Sequence, residues 1–305
     1  MAVTPPRIAR LSLTTADPAR AAEFYVRALD FERVGTCRCG GAAFAALLGV
    51  EGGATATTLR LGGQEITLLA FATPGQPYPA GSAADDLWFQ HMAIVVSDMA
   101  AAYARLRAVP GWSAISAGGP QRLPAASGGV VAFKFRDPEG HPLELLSFPP
   151  ERVPPLWSRP ASDGLFLGID HSAITVAATA RSLDLYEGGL GLSRRSHSVN
   201  SGPEQERLDN VTAPRVRVTG LRWADAPPPY VELLCYEEPR RPRAPLAPRS
   251  NDVAATRLEI DAIDLDAVLP RLPSARPPAS VQLDDGRRAV RIRDPDGHDL
   301  LLFTA

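Results

Sequence analysis

Cysteine is scarce in this chain. Cys37, Cys39 and Cys235 are the only three in 305 residues, too few for a disulfide framework. Cys37-x-Cys39 has no second ligand pair at zinc-finger spacing, so no thiolate metal site is expected there. An excess of one charge is also missing: 34 acids face 32 bases, with no dense Lys/Arg run. That balance argues against nucleic acid or an anionic membrane as partner. The opening MAVTPPRIARLSLTT has no signal-peptide apolar core, and no apolar run is long enough to span a bilayer. Nucleophile elbow, phosphate-binding glycine loop and dinucleotide fingerprint are absent as well. A serine or cysteine nucleophile therefore has no support. The expectation is a soluble, cytoplasmic protein, monomer or homodimer, acting on a small molecule.

What is present fits an ordinary globular chain, with 45% apolar and 22% charged residues. The length allows about two domains, each with its own core. Thirty prolines gather largely in linkers and loops. The Pro-rich stretches Pro149 to Ser162 and Pro239 to Ser250 separate repeated segments, and the first is the better domain boundary.

The repeats carry the organisation. IARLSLTTAD and a helical PARAAEFYVRALDF are matched halfway along by IDHSAITVAA and TARSLDLYEGGLGL. Without a gap, Arg10 falls opposite His171, Tyr25 opposite Tyr186 and Phe31 opposite Leu192. FQHMAIVVSD with MAAAYARLRAV, and TRLEIDAIDL with DAVLPRLP, complete four units, and Asp98 and Asp264 sit as helix N-caps. β-type runs follow each helix. Units two and four end on RDPEGHPLELL (Arg136 to Leu146) and RDPDGHDLLLF (Arg293 to Phe303), each a tight turn before a strand. Alternation points Leu143 and Leu145 one way and Glu144 the other. A carboxylate in an apolar strand must be solvated, paired or metal-bound.

Equivalent positions can now be compared. Opening strands carry Arg10, His91, His171 and Arg257, and last strands carry Thr67, Glu144, Glu232 and Leu301. Units two and three each hold a His and a Glu, whereas units one and four hold neither. Packed as equivalents, two such units bring together two imidazoles and two carboxylates. That set suits an octahedral divalent ion with two positions open, without choosing among Fe(II), Mn, Co, Ni and Zn. Singly, a strand His or Glu is explained as well by packing or solvation. Four at repeat-equivalent positions, missing together from the other units, are harder to explain that way.

Other residues read differently. His141 and His298 both follow the Asp-Pro-acid-Gly turn, even in the unit that lacks the Glu, so a turn-stabilising role is expected. His197 lies in the polar stretch SRRSHSVNSGPEQERLDN, read as surface loop or as a pocket wall contributing Arg195, His197, Asn200 or Asn210. Trp88-Phe89-Gln90 before His91 reads as strand packing.

With its four βαβββ-like units, its Phe-Tyr helix and its two DPxGHxLxL endings, the chain resembles the vicinal oxygen chelate superfamily of glyoxalases, extradiol dioxygenases and antibiotic-resistance proteins. The resemblance implies an α+β fold: four βαβββ modules in two glyoxalase-like domains with open, barrel-like mixed sheets. It places modules one and two in residues 1–150, modules three and four in 165–305, and a linker at 151–164. It also implies one divalent metal held by His91, Glu144, His171 and Glu232, in a single site between modules two and three. Pairing one with two and three with four would split the ligands into two incomplete sites. The implied chemistry is isomerase or lyase, on an α-oxygenated carbonyl compound through a metal-stabilised enolate. Glu232, or else Glu144, would be the general base. Fe(II) oxygen chemistry and non-catalytic small-molecule binding are the alternatives. Arg257 and Leu301 in unit four argue against extradiol cleavage. No basic cluster is committed to glutathione.

Overall fold

The computed structural model describes residues 5–158, 164–241, 248–273 and 278–305. The expected linker at 151–164 and the stretch Pro239 to Ser250 therefore lie partly outside the described residues.

Two mixed sheets carry the α+β fold. Unit one contributes Arg7–Thr14, Glu32–Cys39, Ala54–Leu61 and Gln64–Phe71. Unit four contributes Thr256–Asp261, Val281–Gln282, Arg288–Arg293 and Asp299–Phe303, and the two units share one eight-stranded sheet. Units two and three share the other, of nine strands. Unit two supplies Gln90–Val96, Ser113–Ala114, Gln121–Arg122, Val131–Arg136 and Pro142–Ser147. Unit three supplies Phe166–Thr175, Ser193–Ser201, Arg215–Arg222 and Tyr230–Glu238. In each sheet the opening strands of the two units pair antiparallel at the centre, and each opening strand lies parallel to its own unit's last strand. Each sheet is thus drawn from both sides of the linker. The pairing is the one that joins units two and three.

Local sequence accounts for the elements. Asp17 caps helix Pro18–Leu29 by accepting from the Arg20 amide, and Pro18 fits the first turn, where its missing N–H costs nothing. Ala22, Phe24, Tyr25 and Leu29 bury one face of that helix. Asp98 and Asp264 cap their helices in the same way. The polar stretch after the helix of unit three is not a loop. It forms strand Ser193–Ser201 and helix Pro203–Asp209, because its edge position leaves one strand face in water and removes the need for apolar alternation.

The Asp-Pro turns tie the units the other way round, one to two and three to four. Gly140 and Gly297 take φ of 103° and 102°, which a side chain would resist. Asp137 accepts from the Glu139 and His141 amides and from Tyr25 Oη of unit one. His141 donates from Nδ1 to Asp137 Oδ2 at 2.9 Å and from Nε2 towards the carbonyls of Thr14 and Val253, both at 3.0 Å. In the later copy Tyr186 reaches Asp294, and His298 reaches the Thr175 carbonyl. One core of buried residues, including Leu11, Phe24, Ile94, Leu143, Ile169, Tyr186, Leu258 and Leu300, joins all four units. No helix among the described residues is long and apolar enough to cross a membrane.

Candidate metal centre

Strand register builds the site. On the central strands His91 stands opposite Ala173, and His171 opposite Ala93. Ala93 lies beside Glu144, and Ala173 beside Glu232. The four polar side chains therefore surround two alanines, whose methyl groups leave space between them. His91 Nε2 is 3.2 Å from Glu144 Oε2, and His171 Nε2 is 3.4 Å from Glu232 Oε2. The imidazole centroids are 5.9 Å apart. His91, Glu144 and His171 are buried, and each offers a ligand atom within 4.8 Å of the others. Glu232 adjoins that trio from the unit-three side, its side chain 27% exposed.

The electrostatics suit a bound cation. Both ring nitrogens of His91 are buried without a hydrogen-bond partner, even though Nε2 lies close to Glu144. Contact distance without donor–acceptor alignment is what two ligands of one ion would show, and orphaned buried nitrogens are otherwise costly. Burial, with Lys134 adding to it, pushes His91 down to about 4, which keeps its lone pair available. Glu144 is held ionised at about 2, because His91 and Lys134 outweigh the penalty of burial. His171 goes the other way, to about 9: burial opposes its charge, but Glu232 and Asp170 overcome it. The carboxylate field that holds a proton there is the field a divalent ion would complete. Burial, with Asp170 and Glu144 nearby, raises Glu232. Asp170 orients His171 by accepting from Nδ1 at 2.9 Å, and is itself held by Trp157 Nε1 at 2.9 Å. That arrangement turns Nε2 towards Glu232 and the rest of the cluster.

These residues form one end of a cavity of about 430 Å³. Leu123, Val130, Leu146, Phe148, Leu208 and Val218 give it an apolar wall, and Ser196, Ser198 and Asn200 a polar one. Of the four substrate-side residues expected from the sequence, His197 and Asn200 line the cavity. Arg195 is exposed on the same strand outside the wall, and Asn210 caps helix Pro203–Asp209 away from it. Phe89 and Gln90 pack within the fold, as expected. A second cleft of about 460 Å³, at Arg181, Leu185, Leu272 and Ile292, has no histidine among its described lining residues.

Sequence reasoning missed the polar group behind Glu144. Lys134, the only lysine in the chain, is buried with Nζ 2.7 Å from Asp209 Oδ1 and 3.8 Å from Glu144 Oε2. Burial disfavours its charge, but Asp209 and Glu144 hold it above its usual value. Asp209 also accepts from Tyr236 Oη at 2.8 Å and Gln205 Nε2 at 2.7 Å. The available signal was Phe133-Lys134-Phe135, a lone cation in an apolar strand, pointing to the same face as Glu144, its partner in the register.

The profile of the Glyoxalase/Bleomycin resistance protein/Dioxygenase superfamily matches residues 7–145. The chain carries a domain of that superfamily. Glyoxalase I from Zea mays shares the fold across nearly the whole length, with a TM-score of 0.65 at 15% identity, covering 98% of this chain and 92% of that one. A Bacillus subtilis protein provisionally named a dioxygenase gives 0.56 at 16% identity, covering 98% and 84%. At such identities the likeness establishes the fold alone. No curated protein sequence matches the chain. The four-unit architecture expected from the repeats is thus present, with two large mixed sheets and no closed barrel among the described residues.

Proposed function

We propose that the chain is a metal-dependent enzyme of the isomerase or lyase type, acting on a small α-oxygenated carbonyl compound at a single site between units two and three. The supporting observation is the convergence of His91, Glu144 and His171, with unpartnered His91 nitrogens, at the end of the cavity. His91, His171, Glu144 and Glu232 would hold one divalent ion. When bound, that ion supplies Lewis acidity to two neighbouring substrate oxygens.

The chain's own groups divide the remaining work. Glu144, kept ionised by its cationic neighbours, serves as a fixed ligand. Glu232 is the general base: it lies outside the tight trio, is partly open to the cavity, and burial raises its proton affinity. It takes a proton from the carbon next to the carbonyl and returns a proton to that same carbon, inverting it. The bonding pair passes through an enolate meanwhile. The apolar wall excludes water from that exchange, and Asp170 keeps the His171 ring in register.

The deciding experiment is metal content by plasma mass spectrometry, on protein purified without an affinity metal column, beside His91→Ala/His171→Ala. About one ion per chain in the wild type, lost from the double variant, is expected. Iron would redirect the reading to oxygen chemistry. No stoichiometric metal after reconstitution with each ion would overturn it in favour of a binding protein.

A further inference from the structure

Lys134 presents a problem that fold stability does not solve. A buried ion pair is generally no better for stability than a well-packed apolar pair. An ammonium behind a metal ligand also repels the ion that ligand would hold. Yet the chain's only lysine is placed there, 3% exposed, in the wall of the cavity. Asp209 is used up in holding it: Lys134, Tyr236 and Gln205 all donate to that carboxylate.

The ammonium is not used up. It has three N–H groups, and Asp209 takes one at 2.7 Å. Glu144 Oε2, at 3.8 Å, is beyond hydrogen-bond reach. The equivalent position in the other sheet makes the contrast: Arg291 stands beside Leu301 as Lys134 stands beside Glu144. Arg291 spends its donors on both oxygens of Asp299 and on the Leu48 carbonyl. Lys134 keeps donors for something in the cavity.

Charge counting says what that is. With a divalent ion in place, Glu144 and Glu232 neutralise it, Asp209 neutralises Lys134, and Asp170 and Arg152 of the lining offset each other, so the loaded cavity is close to neutral. A neutral ligand would need no cation. A ligand bringing its own negative oxygen would, and an ammonium in a water-poor wall is a strong donor for it.

We infer that Lys134 selects the charge of the ligand: it binds an anionic oxygen of a small molecule that offers a second oxygen beside it. The substrate class is thereby a 2-oxo or 2-hydroxy carboxylate, in preference to an uncharged hydroxyketone or diol. The inference rests on the metal-site reading above and narrows its substrate.

The test uses full-length protein whose metal content has been measured, titrated calorimetrically with oxalate and, separately, with uncharged acetoin. Lys134→Met/Asp209→Asn removes both charges together, so folding and the net field are preserved, and melting curves check the fold. Loss of one charge-assisted hydrogen bond is expected to weaken oxalate by roughly tenfold or more, with acetoin within about twofold. Lys134→Arg should retain most oxalate affinity. Equal oxalate affinity in wild type and double variant, at equal metal content, would overturn the role of Lys134 while leaving the metal site standing. If the wild type takes up no metal, the site reading falls and this inference falls with it.

Discussion

At the centre of one sheet stand Ala93 and Ala173; at the same register positions in the other stand Glu259 and Ser12. The four surrounding polar positions change with them. His91, His171, Glu144 and Glu232 are replaced by Arg257, Arg10, Leu301 and Thr67. Glu259 Oε2 reaches to 3.4 Å of Arg10 Nε, so the chain supplies its own cation where the other sheet keeps room for one. Arg257 is fully buried over the Phe71 ring and donates to Thr14 Oγ1. Helix Gly41–Leu48 closes that cleft with Leu47 and Leu48 against Phe71, Leu301 and Phe303. Its counterpart, Pro203–Asp209, ends on Asp209, which faces Lys134. Both helices stop at a left-handed residue, Gly49 or Asn210. One backbone plan therefore yields a sealed core or an open polar cavity, according to a handful of inward-facing side chains.

The sharpest way to break the contrast is to fill the space between the ligands. Ala93→Leu should abolish stoichiometric metal uptake in the plasma assay. Leu301→Glu in the other sheet should gain none, because Arg257 remains. Next in size is the cost of an unpaired charge. Lys134→Met strands Asp209 and should lose about 3–5 kcal/mol in urea denaturation. Arg257→Met, which removes a partly unpartnered cation, should cost no more than about 1 kcal/mol and can stabilise.

The two Asp-Pro turns give a smaller contrast. His141→Ala should cost about 2 kcal/mol, more than His298→Ala, because His141 pairs with Asp137. Despite burial, His141 and the turn amides hold Asp137 below its ordinary value, so its contribution is present above pH 3.8 and is lost as pH falls through the lowered value. Asp137 holds His141 above 6.5 against burial, so that contribution is complete below 6.5 and is lost as pH rises through the raised value. The melting-temperature gap between wild type and His141→Ala should be widest between pH 3.8 and 6.5 and narrow on both sides. Smallest of all, Arg10→Met removes the partly exposed, loosely spaced ion pairs to Glu65 and Glu259 and should shift stability by about 0.5 kcal/mol, leaving metal content unchanged.

The clustering of two histidines with two glutamates was legible because the repeat supplies its own internal comparison. Four equivalent strands let His91 and His171 be set against Arg10 and Arg257, and Glu144 and Glu232 against Thr67 and Leu301. The cavity wall was less legible. Strand Ser193–Ser201 is polar on both faces, so alternation gave no strand signal, and the short helix after it hid Asp209 in what read as loop. Lys134 needed the register with Glu144 before its place had meaning. Arg195 and Asn210 were grouped with His197 and Asn200 by proximity in sequence, yet a register irregularity at Arg195 and a helix end at Asn210 carry them elsewhere.

The pairing of opening strands also sets an order of assembly. Met92 needs only Ser172 as its strand partner, whereas Leu11 must wait for Leu258. Closing the longer loop costs more entropy, and during synthesis its far strand emerges last. The sheet with the polar cavity can therefore form while unit four is still being made. The sealed sheet closes at the end, as a clasp around a centre already built.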